Sequence, residues 1–167
     1  LDAGEAEVTP LERALEAARE EGDLLALRSF EQEEAEGLDA GELTFRRVQF
    51  RRCRFTDCAF SAAAFYNCAF SACAFVRCRF AAGYWKDVAL TDCKAEAGDF
   101  RRARFKDCAL EGLRLRYANL TGALWERCAW SGCDLRESAC RELRVVRTTL
   151  SQVDFTGADL FRSQWAG

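Results

Sequence analysis

A five-residue period governs the chain from Leu43 to Gly167 and never slips. Positions divisible by five hold large apolar residues, Ala95 and Cys140 being the two exceptions, and the residue two before each is usually small. Phe45, Phe50, Phe55, Phe60, Phe65, Phe70, Phe75 and Phe80 open the series. Trp85, Leu90, Phe100, Phe105, Leu110, Leu115, Leu120, Trp125, Trp130, Leu135, Val145, Leu150, Phe155, Leu160 and Trp165 complete it. All 4 tryptophans and 11 of the 13 phenylalanines fall in this one register. A helix repeats its apolar face at about 3.6 residues and a strand at about 2, so neither element alone produces the pattern. It describes a solenoid.

If the backbone turns a corner in every pentapeptide, about four pentapeptides close one square coil, stacked on the next at about 4.8 Å. The repeat region then forms roughly six coils, a rod about 30 Å long. Residues one coil apart lie above one another, so Phe45, Phe65, Trp85, Phe105, Trp125, Val145 and Trp165 make one column. The residue two before each centre points into the gap that the large side chains leave. It is Cys at 53, 58, 68, 73, 78, 93, 108, 128 and 133, and Ala or Gly at 63, 83, 98, 103, 118, 123 and 158. Around Cys93, Ala95 and Gly98 both inward slots are small, which predicts a thinned, bent or hydrated rung, and Cys140 with Val145 predicts another irregular one.

Ala118-Asn119-Leu120-Thr121-Gly122 and Ala158-Asp159-Leu160 carry a recognisable consensus: a small residue, Asn or Asp, Leu or Phe, then two variable positions. On these residues the chain resembles the pentapeptide repeat proteins. The resemblance implies an all-β, right-handed quadrilateral β-helix over residues 43–167.

Nine of the 10 cysteines occupy the inward slot and Cys140 is itself a centre, where small buried hydrophobes belong. They read as reduced core thiols. With no histidine and no C-x-x-C pair, no metal site or cofactor is expected, and many unpaired thiols point to a reducing cytoplasm. No apolar run is long enough for a membrane span. The absence of Met suggests that the sequence begins inside, or after processing of, a longer product.

Residues 1–42 carry 14 acidic and 3 basic side chains, whereas residues 43–167 carry 13 acidic and 21 basic. An acidic segment therefore precedes a basic rod. Thr9-Pro10-Leu11-Glu12 reads as a helix start with a capping box, and Leu11, Ala14, Leu15 and Ala18 make its apolar face. Gly22 ends this helix, and Asp23 is placed to cap a second one carrying Leu24, Leu25, Leu27 and Phe30. The expected role of 1–42 is a helical cap over the first coil. At the other end no lid follows, so Leu160, Phe161 and Trp165 are expected to join an end-to-end homodimer.

Arginines gather in sequence at Arg46, Arg47, Arg51, Arg52 and Arg54, and again at Arg101, Arg102 and Arg104. These are candidate partner residues; alternatively the first group docks onto the acidic helices. The side centred on 50, 70, 90, 110, 130 and 150 carries mostly Ala, Ser, Thr and Gly, a flat strip suited to packing. No catalytic constellation emerges: there is no histidine, no phosphate-binding glycine loop, and no nucleophile beside a base. The chain is not expected to be an enzyme.

The run Phe50-Arg51-Arg52-Cys53-Arg54-Phe55, continued by Thr56-Asp57-Cys58-Ala59-Phe60, resembles the start of the repeat region in Qnr- and MfpA-type quinolone-resistance proteins. That resemblance implies a cytoplasmic bacterial dimer that binds DNA gyrase and topoisomerase IV. A structural scaffold with another protein partner is the alternative. A third reading, direct nucleic-acid binding, rests on the positive rod alone, and a protein is the expected partner.

Overall fold

A computed structural model describes residues 7–167. The molecule is one continuous parallel coil of about seven turns behind a single helix. Its first face is an eight-stranded sheet built from residues 24–26, 44–46, 64–66, 84–86, 104–106, 124–126, 144–146 and 164–166. The second face, from 29–31 to 149–151, has seven strands. On the third face, strands at 34–36, 54–56 and 74–76 give way to single bridges at Lys94, Arg114, Asp134 and Asp154; the fourth is bridges throughout, from Asp39 to Asp159. Every pairing is parallel and joins residues twenty apart, as in Phe45 with Phe65 and Trp85 with Phe105.

The interior follows from that register. Residues alternate in and out along each short strand, so the centres meet in stacked columns. Phe45 lies on Phe65 with ring centroids 4.7 Å apart, and Phe65 on Trp85 at 4.2 Å. Corners are made by the residue two past each centre, which from Leu27 to Gly167 has φ between 49° and 81°. This left-handed conformation costs an ordinary residue about 1 kcal/mol. It turns the corner N–H along the rod axis onto the next coil, as in Arg52 N–H to the Ser71 carbonyl at 2.8 Å.

Two kinds of corner sort the inward slots. Where the third residue past a centre donates back to that centre's carbonyl, as Ala63 does to Phe60 at 3.0 Å, the slot holds Ala, Gly or Ser, with Leu43 and Leu143 as exceptions. Where the corner lacks that bond, the slot holds Cys in nine cases. Each of these thiols donates to a neighbouring carbonyl, as Cys73 does to Phe50 at 3.3 Å. Thr148 substitutes for Cys in the same role, donating to Val146 at 3.0 Å. The cysteines are thus donors for corner carbonyls as well as fillers, and all ten are free and buried.

The helix α1, Pro10–Glu20, starts as expected, with Thr9 and Glu12 completing a reciprocal capping box. Leu11, Ala14, Leu15 and Ala18 are buried on the first coil. Its polar groups satisfy that coil's open edge: Thr9 Oγ1 donates to the Glu34 carbonyl at 2.7 Å, and Arg19 to the Asp39 carbonyl at 2.9 Å. Glu12 accepts from the Glu36 N–H at 3.2 Å. In return, Glu33 accepts from the Leu11 N–H at 2.8 Å.

Three expectations need correction. No second helix follows Asp23: Leu24–Ala26, Ser29–Glu31 and Glu34–Glu36 are strands, and Leu25, Phe30, Ala35 and Ala40 are buried centres in the same five-residue register. The coil therefore begins near residue 23 rather than at 43, which adds a turn to the six expected. Its slots two before the centres carry Asp23, Arg28 and Glu33, tolerated because no earlier coil packs on them: Asp23 pairs with Arg19 of α1, Glu33 accepts from the Leu11 N–H, and Arg28 is exposed over the Phe30 ring. The rung at Cys93, Ala95 and Gly98 is not thinned. A Cβ on Gly98 would stand 2.8 Å from the Phe100 ring, so that ring already fills the space. The rung of Cys140 and Val145 is irregular in its rings, as expected: Val145 keeps the backbone register with Trp125, but that indole stacks on Trp130 of the neighbouring side at 3.9 Å.

Phe75 stacks on Phe55 at 5.1 Å and meets the edge of Phe80 at 5.2 Å. Replacing it with Ala is expected to cost about 3–5 kcal/mol, measured by urea denaturation. A loss below about 1 kcal/mol would place that side chain outside the packed interior.

Candidate functional site

Because each pentapeptide turns a corner, neighbours in sequence part company on the surface. Arg46, Arg47 and Arg104 lie on the first face, Arg51 and Arg52 on the second, Arg54 on the third, and Arg101 and Arg102 on the fourth. The two arginine groups of the sequence are therefore rings around the rod, not patches. Nor does the first group clamp the acidic helix. Among the described residues none of Arg46, Arg47, Arg51, Arg52 and Arg54 has a carboxylate within 4.0 Å; the ion pairs of α1 run from Arg19 to Asp23 and Asp39.

Stacking instead assembles a different set. The first face carries Arg46, Arg47, Lys86, Arg104, Lys106, Arg127, Arg144 and Arg147 against Asp87, Asp107 and Glu126, a net charge of +5. The other faces balance: the fourth has five of each sign, and the second and third are each negative by one. On the first face Arg46 lies over the Tyr66 ring at 5.0 Å, Tyr66 meets Tyr84 at 5.7 Å, and Arg104 lies over Tyr84 at 5.1 Å. These four side chains form a continuous ladder across four coils. Sequence reading missed it because its members are about twenty residues apart; the twenty-residue column is the signal that would have found it.

The second face is the flat strip expected from sequence. Ala69, Ala89, Ala109 and Ala129 align in one column, and Gly112 and Gly132 stand at its corners. The end of the coil is different again. Leu150 and Trp165 are 38% and 45% exposed, whereas Trp125 and Trp130 in their columns are buried. Leu160 is half-buried there. Phe161, 56% exposed, points outward on the fourth face between Arg141 and Arg162 and does not lie across the end.

Among the described residues no three His, Cys, Asp or Glu side chains gather as a metal site, and no helix is long and apolar enough to cross a membrane. Burial pushes the Cys68, Cys133 and Cys140 thiols up, away from thiolate character.

Asp107 is the most perturbed surface carboxylate. Arg127 Nε donates to it at 2.8 Å and the Lys86 ammonium lies against it, and together they hold its pKa well below the ordinary 3.8. A lowered folded-state pKa contributes stability above the ordinary value that is lost as the pH falls through the folded one. Asp107→Asn is therefore expected to lower the thermal midpoint at neutral pH and low salt. The gap from the unchanged protein should begin to narrow below about pH 4 and go on narrowing as the pH falls towards the lowered folded-state value, followed by circular dichroism; a gap that stays constant throughout the acid range would contradict the pairing.

Family comparison agrees with this architecture. Residues 43–120 match the model of a pentapeptide repeat region, and residues 114–152 match pentapeptide repeats. No curated protein sequence matches. Among solved structures, two trypsin-treated forms of QnrB1, a plasmid-mediated fluoroquinolone resistance protein, superpose on the chain. One is 20% identical with a TM-score of 0.53, covering 81% of this chain and 73% of its own. The other is 19% identical with a TM-score of 0.54, covering 85% and 90%. At such identity the likeness concerns the fold. With coil, corner and column in place, the chain belongs to the pentapeptide repeat family.

Proposed function

We propose that the chain is a non-enzymatic interaction rod that pairs end to end with a second copy and engages a type II topoisomerase, DNA gyrase or topoisomerase IV. One observation carries the interaction reading: corner follows corner from Leu25 to Trp165 without a projecting loop, so no segment builds a cleft around reactive groups. Such a body offers a partner flat faces and two ends. The acidic end is closed by α1, while the other presents Leu150, Leu160 and Trp165 with the edge of its last strands. Covering that coil with a second copy removes exposed apolar surface and open backbone groups together. The topoisomerase reading is supported by the run from Phe50 to Phe60, which resembles Qnr-type proteins, and it fits the fold shared with QnrB1. The flat second face is free to pack on the enzyme.

Two measurements test the proposal. Light scattering should give twice the 18.8 kDa of the chain, and Trp165→Asp should reduce it to one copy; a monomer in the unchanged protein would overturn the pairing. In a gyrase supercoiling assay inhibited by ciprofloxacin, added protein should restore supercoiling. No rescue, with no binding to either enzyme, would leave an interaction rod for another protein.

A further inference from the structure

We infer that the first face binds the phosphate backbone of a nucleic-acid duplex without reading its sequence. The inference is independent of the topoisomerase reading, since it concerns the first face rather than the second and its ligand is not a protein. Six cations on this face, Arg46, Arg47, Arg104, Lys106, Arg144 and Arg147, have no carboxylate within 4.0 Å among the described residues. They stand along one parallel, hydrogen-bonded sheet. From the coil of Arg46 to that of Arg147 the rise is about 24 Å at 4.8 Å per coil. A duplex strand advances about 3.4 Å per phosphate, so a stiff, evenly charged polyanion meets these cations together. An acidic peptide would first have to be ordered into an extended line, at a cost in conformational entropy.

The ladder of Arg46, Tyr66, Tyr84 and Arg104 suits this ligand. A guanidinium lying over a ring uses its flat side, which leaves its N–H edge free for bidentate contact with phosphate oxygens. The rings so covered are not open platforms for bases, which is why the contact is with the backbone alone. The acidic helix lies at one end of the rod. At physiological salt, charges interact over about 8 Å, so it is screened from the coils of Arg104 and Arg144.

The test is fluorescence anisotropy of a labelled twenty-base-pair DNA duplex with the full chain, in salt from 50 to 200 mM. Binding at 50 mM that weakens steeply with salt is expected. The triple change R104E, K106E, R144E should weaken it at least tenfold and flatten the dependence of log K on log salt by about 2–3, near 0.9 per lost phosphate contact. The triple R79E, R102E, R162E, with the same change in net charge on the fourth face, should stay within about twofold. Absence of binding at 50 mM, equal loss in both triples, or tighter binding of poly-glutamate than of duplex would overturn the inference. Should a reversal triple lose its β-sheet spectrum, the corresponding glutamine variants carry the same comparison.

Discussion

Each coil rests on the one before it through parallel backbone hydrogen bonds between residues twenty apart, and the rest of the molecule depends on that register. It brings like side chains together, so rings stack along the axis: Phe60 on Phe80 at 5.0 Å, then Phe80 on Phe100 at 4.9 Å. A one-residue slip would turn every centre outward. The stacked rings and the ladder therefore enforce one another, and both need the corner to recur every five residues.

That regularity opposes two local costs. Left-handed corners recur with Arg, Asp, Ala and Asn in place of the favoured glycine, each about 1 kcal/mol against the fold. The indole N–H groups of Trp85, Trp125 and Trp130 are buried without a partner, at about 1–3 kcal/mol each. Both are tolerated because before the last coil every corner N–H except that of Arg77 donates to a carbonyl on the next coil, and because the indoles fill the core where Ala123, Cys140 and Val145 are small. Stability here is a sum over neighbouring rungs, so a local cost is shared by the interfaces on either side.

The same geometry separates the surface into regions with different capacities. One end is closed by a helix that satisfies edge groups at Glu34, Glu36 and Asp39; the other leaves Leu150 and Trp165 exposed. Of four faces, one collects the positive charge and one is nearly featureless. Interaction on such a body is decided by which face or end a partner meets, because among the described residues corner follows corner without a projecting loop.

Much of this was legible in the sequence. The five-residue period specified the square coil and the columns Phe45 to Trp165, and Thr9-Pro10-Leu11-Glu12 specified α1. The first coil escaped notice because Asp23, Arg28 and Glu33 broke the small-residue rule while Leu24, Leu27 and Phe30 mimicked helical spacing; that no earlier coil packs on those charges, and that α1 takes up Asp23 and Glu33, is a tertiary fact. Clustering was misread for the same reason. Arg51 and Arg54 are neighbours in the chain but stand on different sides of the rod, whereas Arg46, Tyr66, Tyr84 and Arg104 become neighbours only when coils stack. The sequence by itself determined the period, and hence what lies inside; only the closed coil decided which outward residues share a face, because a corner every five residues exchanges nearness along the chain for nearness along the axis.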